Sequence, residues 1–271
     1  MFRRLTSLIA LFSFIVISHT SAQAVTKKAG LKNVKSYKIY YGEINEPIIQ
    51  QLSQYDMVII EPYVVTKEQI QQLKQAGTTV LGYVSVMELE YWHRTQVTEG
   101  DYHYENNKKM RIEKWDTYIM DLEEAHYQNI LLKKVKKQIV QKDIDGVFLD
   151  TVGDIDDYFY EQPTVQNKFR NAYVTLLKEI KEVDKNLIIM QNWGFPTLKD
   201  VSIDLVDGIL WEDFNKQVIS KDEWSQNWIR YFKQHKNELV TFTVAPNEES
   251  KAYSEELGFV ATVNENNVYD K

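Results

Sequence analysis

Two carboxylates end short apolar runs of the same design. Asp145-Gly146 leads into Val147, Phe148 and Leu149 and stops at Asp150; Asp207-Gly208 leads into Ile209, Leu210 and Trp211 and stops at Glu212. A run this short, bounded by glycine and polar residues, reads as a fully buried strand and not as a helix. A carboxylate at the end of such a strand sits on the face where barrels and open α/β sheets hold their ligands. A pair of them can divide the labour of glycoside hydrolysis: one protonates the leaving oxygen, the other acts as base or nucleophile. A single strand-end Asp is about as often a structural cap, but a duplicated design favours function. The candidate catalytic pair is therefore Asp150 and Glu212.

Other strand ends supply Tyr41, Glu61, Ser85, Glu88 and Asn192, with Asp121 on a separate strand-like piece at 118–122. Together with the aromatics Tyr40, Tyr63, Tyr83, Trp193 and Trp211 they suit a carbohydrate, whose apolar face stacks on rings and whose hydroxyls take hydrogen bonds from polar groups. The expected substrate contacts are Tyr41, Glu61, Tyr83, Ser85, Glu88, Asp121, Asn192, Trp193 and Trp211. Glu61, followed by Pro62, could equally bind a backbone amide or a lysine. Asp154, Asp156 and Asp157 lack the spacing of a calcium loop, so solvation or sugar contact is expected of them. His93, His103, His126 and His235 show no metal-ligand spacing, and the chain has no cysteine. Neither metal nor cofactor is expected.

These groups need elements to hold them. Strands are expected at 37–41, 57–61, 79–86, 146–150, 187–192, 207–212, 239–244 and 258–263. Helical patterns lie between them at 48–55, 66–74, 123–142, 164–183, 197–203, 221–235 and 248–256. Eight strands alternating with helices predict an α/β protein, a single-domain TIM (β/α)8 barrel over 37–271. A long insertion follows strand three, from Met87 to Trp115, and the end after strand eight is short, with no final helix to cover the edge there. Residues 25–36 form a loose lead-in that is expected to cover that edge, unless it is left thin. Lys133, Lys134, Lys136 and Lys137 read as a solvated helix face. An open doubly wound sheet is the alternative, but no glycine-rich phosphate loop follows any strand.

The 271 residues are 44% hydrophobic and carry a net charge of −7, a balance that suits a globular domain and disfavours nucleic acid or anionic membranes as partners. Arg3 and Arg4 precede an apolar run, and Ala22-Gln23-Ala24 resembles a cleavage site, so residues 1–24 read as a secretory signal peptide. A soluble, secreted, monomeric protein is expected after cleavage.

Taken in order, YYGE at 40–43, VIIEP at 58–62, GYVSVME at 82–88, YIMDL, DGVFLDT at 145–151, QNWGF at 191–195 and the LWE of strand six resemble the endo-α-1,4-polygalactosaminidase group of glycoside hydrolases. The hydrolase domain of Pel polysaccharide modification proteins is the most similar branch. The resemblance runs from about Tyr37 to Phe214 and implies a TIM-barrel endo-hydrolase of galactosamine-rich biofilm exopolysaccharide. It also implies catalytic Asp and Glu at the positions of Asp150 and Glu212, as nucleophile and general acid/base. The third-strand motif commonly reads SVGE; Met87 stands at its glycine, so another backbone path is expected for the loop carrying Glu88. Some members of the group carry a deacetylase domain, for which this chain has no room. Two other functions fit the residues: a non-catalytic polysaccharide-binding barrel, and a hydrolase of a different amino-sugar polymer.

Overall fold

The computed structural model describes residues 30–89, 96–266 and 268–270. Eight parallel strands form one sheet in strict sequence order: β1 Tyr37–Tyr40, β2 Met57–Ile60, β3 Thr79–Ser85, β4 Gly146–Asp150, β5 Ile188–Asn192, β6 Gly208–Trp211, β7 Val240–Ala245 and β8 Val260–Val263. An order without reversal lets the sheet curl on itself until β1 comes beside β8, though no ladder of hydrogen bonds joins that pair. The result is a nearly closed (β/α)8 barrel, as the alternation of elements predicts.

The helices α1 Glu46–Leu52, α2 Lys67–Gln75, α3 Ala125–Lys134, α4 Pro163–Val183, α5 Glu223–Gln234 and α6 Glu248–Glu256 cover the strands. α3 runs on as a π-helical turn at Val135–Val140, and the connection from β5 to β6 is built of short turns between Phe195 and Leu205. Side chains start several of these helices. Thr66 and Gln69 form a reciprocal capping box on α2, while Asn45, Asp222 and Asn247 accept backbone N–H groups at the starts of α1, α5 and α6.

The pleat sorts each strand into two faces. Phe148, Met190 and Leu210 fill the barrel interior with Tyr37, Ile39, Met57, Ile59, Leu81 and Phe242. Val147, Leu149, Ile189, Ile209 and Trp211 point the other way, into the layer between sheet and helices. The two Asp-Gly pairs have a shared structural task at the bottom of the barrel. Asp145 accepts the N–H of Val80 at 3.0 Å and meets Lys74 at 3.2 Å; Asp207 accepts the N–H of Ile189 at 2.8 Å and meets Lys181 at 3.4 Å. Each carboxylate thus seals an unpaired donor at the foot of the neighbouring strand.

Two expectations need correction. The lead-in is not loose where it is described: Leu31 and Val34 are buried against the barrel interior, and Lys32 donates to the Asn237 carbonyl at 2.7 Å. The open seam is met instead by the segment after β8, where the Tyr41 N–H donates to the Tyr269 carbonyl at 2.6 Å. The long insertion after β3 is present as expected, and its described residues carry strands. Glu88–Leu89, Arg111–Ile112 and Thr117–Ile119 form a small antiparallel sheet, beside a hairpin of Tyr104–Glu105 and Lys108–Lys109 that turns on Asn106 and Asn107 in left-handed conformation. Residues 1–24 and His93 lie outside the described residues.

Candidate active site

Inward parity decides which strand-end residues reach the mouth. Asp150 shares the side of Phe148, Asn192 that of Met190 and Glu212 that of Leu210, so all three project into the barrel mouth. The next residue of each strand, Thr151, Trp193 and Asp213, has φ of 63°, 51° and 54°. These left-handed turns cost about 1–3 kcal/mol each and break the chain away sharply, leaving the preceding polar side chain at a free strand end. Their surroundings hold them. The Thr151 hydroxyl accepts the N–H groups of Val86 and Met87 at 3.1 and 2.8 Å while donating to the Asp150 carbonyl at 2.7 Å. Gln191, buried on the outward face, donates to the carbonyls of Trp193 and Gly194 at 2.8 and 3.0 Å.

At the centre lies the Asn192 amide. Its Nδ2 donates to Asp150 Oδ1 at 2.7 Å and to Glu212 Oε2 at 2.9 Å. The two hydrogens of an amide nitrogen diverge by about 120°, so linear bonds of these lengths would put the bridged carboxylate oxygens about 5 Å apart. Asp150 Oδ1 also accepts the Thr151 N–H at 2.8 Å, and Glu212 Oε1 accepts the Tyr269 hydroxyl at 2.5 Å. Burial and, after it, the neighbouring Asp150 charge raise the Glu212 pKa, against the opposing effect of the bonds from Tyr269 and Asn192. Asn192 Oδ1 is buried with no hydrogen-bond partner, an open acceptor beside both carboxylates.

Tyr41, Glu61 and Tyr83 join this group. The Tyr41 ring meets Tyr83 at 5.1 Å, and burial followed by the charges of Asp150 and Glu212 holds its hydroxyl well above the ordinary phenol range. Glu61 accepts the Tyr63 N–H at 3.0 Å; burial raises its pKa, partly offset by Lys134 and Lys142. Lys134 lies over the rings of Tyr63 and Tyr83 and, with Lys133 and Lys137, lines a cleft of about 320 Å³ beside Glu88, so three of the four expected surface lysines flank the mouth.

Beyond Asp150 stands a second acid pair. Glu88 is buried, accepts the Thr117 hydroxyl and interacts electrostatically with Asp154, whose Oδ2 is buried with no hydrogen-bond partner. Burial, then the adjacent Glu88, pushes Asp154 up to about 9. Met87 is buried and stays outside the left-handed region, and the Thr151 hydroxyl supplies the anchor of this loop.

Other expectations fail on parity or distance. Trp211, next to Glu212, must face the opposite side of the sheet, and it is 2% exposed among Phe195, Phe214 and Phe232, out of reach of the mouth. Tyr40 is buried in the helix-side layer, whereas Trp193, half-buried after its left-handed turn, stacks on Phe195 beside Gly153 of the loop after Asp150. The Ser85 hydroxyl is spent on the Glu88 carbonyl at 2.7 Å. Asp121 accepts the Glu123 N–H at 3.0 Å and its charge is felt at His103, not within the Asp150 group. Asp156 is structural, bound to Arg170 at 2.7 Å and to Thr197, in a helical turn and not a solvated loop.

Tyr269 and Thr151 are functional candidates that sequence reading misses. Tyr269 follows β8 and meets Tyr41 beside the seam with β1, and that place in the chain is the available signal for it. Among the described residues no cluster of His, Asp or Glu could hold a metal ion, and no helix is long and apolar enough to cross a membrane.

The family model of glycoside-hydrolase family GH114 matches residues 18–244. The fold is similar to the glycoside hydrolase domain of PelA from Pseudomonas aeruginosa, at 19% identity and a TM-score of 0.70 over 88% of this chain and 97% of that one. It is also similar to Aspergillus fumigatus Ega3, solved in complex with galactosamine, at 15% identity and a TM-score of 0.63 over 85% and 91%. No curated protein matches the sequence.

Proposed function

Because the chain belongs to glycoside-hydrolase family GH114, we propose that it is a secreted, endo-acting hydrolase of an α-1,4-linked, galactosamine-rich exopolysaccharide of the biofilm matrix. The observation that carries this reading is the Asn192 amide held between two strand-end carboxylates at a spacing suited to retention. Asp150, held in place by the Thr151 N–H and the Asn192 amide, is the nucleophile. It bonds to the anomeric carbon as the glycosidic bond breaks, while Glu212 gives its proton to the leaving oxygen. Glu212 then takes a proton from water, whose oxygen displaces Asp150 and frees the sugar.

The choice of an amino sugar rests on charge. Buried carboxylates elsewhere have basic partners: Asp156 has Arg170, Asp145 has Lys74 and Asp101 has His126. Among the described residues no basic side chain lies within ion-pair distance of Asp150, Glu212, Glu88 or Asp154, so an ammonium group of the substrate would supply the missing counter-charge. Similarity to a structure solved with galactosamine supports the same sugar.

Reducing-end release from partly deacetylated galactosamine polymer and from glucosamine polymer, assayed together, tests the reading. Release from the first alone is expected. Binding without release would favour a non-catalytic barrel, and equal release from both would transfer the specificity to amino sugars in general.

Asp154→Asn separates recognition from stability. Asp154 titrates near 3.8 when unfolded and about 9 in the fold, so its contribution to stability is complete below 3.8 and is lost as the pH climbs toward 9. The amide variant is expected to be more stable than the parent at pH 8 in urea unfolding, yet to lose preference for deacetylated over fully acetylated polymer. An unchanged preference would remove Asp154 from amine recognition.

A further inference from the structure

The segment after β8 does more than cover the seam. Asn264 is fixed to the Ala245 carbonyl through its N–H at 2.9 Å and donates its side-chain amide to the Val268 carbonyl at 3.2 Å. One residue on, the Tyr269 carbonyl accepts the Tyr41 N–H at 2.6 Å, and its ring meets that of Tyr41 at 5.4 Å. The strap is thereby anchored to β7 at one end and to β1 at the other, and it carries the Tyr269 hydroxyl to Glu212 Oε1. Burial, then the Glu212 charge, holds that hydroxyl far above the ordinary phenol range, so it stays a donor throughout.

We propose that Tyr269 is a positioning residue for the reaction: by holding Glu212 Oε1 in both protonation states, it leaves Oε2, the oxygen facing Asp150 across Asn192, to give and take the proton. The inference rests on the reading of Glu212 as general acid/base. When Glu212 is protonated at Oε2, Oε1 still accepts from Tyr269; when it is ionised, the same bond stabilises the charge. Burial and Asp150 favour the protonated form, while Tyr269 and Asn192 favour the ionised one, so the strap tunes the balance that a group acting first as acid and then as base requires. No group on the described helices contributes comparably: the residues facing Glu212 are Tyr37 and Tyr41 of the β1 region, Asp150, Asn192, Asp213 and Tyr269.

Tyr269→Phe keeps the ring on Tyr41 and removes only the hydroxyl. Its kcat/KM profile on galactosamine polymer should keep its acid limb while its alkaline limb moves up by about one pH unit, because Glu212 holds its proton longer. Its kcat should fall about tenfold. A profile that superimposes on the parent's would overturn the inference while leaving the hydrolase reading intact. Failure of that reading has a different mark, full activity in Glu212→Gln. A readout independent of turnover accompanies both: the ultraviolet tyrosine difference signal that tracks Glu212 ionisation in the parent should shrink in Tyr269→Phe, where Tyr37 and Tyr41 remain, and vanish in Glu212→Gln. An undiminished signal in Tyr269→Phe also overturns the inference.

Discussion

Glu212→Gln is expected to slow polymer cleavage by about 10²- to 10⁴-fold, the usual contribution of a positioned acid/base group, and Asp150→Asn to reduce it to background. Neither change should unfold the protein, since an amide fills the space of the carboxyl and the donors around it are few. The two variants should part company on an aryl galactosaminide with a good leaving group. That substrate needs little protonation, so Glu212→Gln should regain its first step and accumulate the glycosyl-enzyme, whereas Asp150→Asn has no nucleophile and should stay inactive. If instead Asp150→Asn were the variant rescued by the good leaving group, the two roles would be exchanged.

Gly146→Ala is expected to be the most damaging single-methyl change among the buried strands. A Cβ there would stand 2.3 Å from the carbonyl oxygen of Ile188, 2.6 Å from its Cβ and 2.8 Å from Leu81. The strand cannot retreat, because Gly146 is paired with Ile188 on one side and Leu81 on the other, and the Ile188 N–H is bound to the Asp145 carbonyl at 3.1 Å. Strain of this kind costs at least about 3 kcal/mol, and it would be felt at Asp150 four residues on. Urea unfolding of Gly146→Ala beside Gly30→Ala, where nothing lies within 4 Å, checks this. Equal midpoints would mean that the barrel adjusts its strand spacing far more freely than the packing implies.

The strands are legible because each is a short apolar run between turn signals. The strand-end carboxylates are legible because a charged side chain directly after such a run marks the point where the strand leaves the core. Most of the misplaced aromatics share one physical origin. Trp211 adjoins Glu212 in sequence, but a period of two sends adjacent side chains to opposite faces; parity removes Trp211 and Tyr40 from the mouth and keeps Tyr41, Glu61, Tyr83 and Asn192. Asp156 escapes sequence reasoning for another reason. Its partners, Arg170 and Thr197, come from elements whose approach only the folded chain defines. Tyr269 stands 57 positions from Glu212, and Thr151 looks like an ordinary residue after a strand; neither carries a local sequence signal for the hydrogen bonds it makes.

The proposed double displacement through Asp150 predicts the stereochemistry of the product, and proton NMR of the first product formed tests it most directly. Followed from the start of polymer cleavage, before mutarotation, the new reducing end should appear as α-galactosamine, the outcome of two displacements through Asp150. First appearance of the β anomer would contradict the account, because water would then have attacked directly and the bridged carboxylates would not be a nucleophile and its acid/base partner.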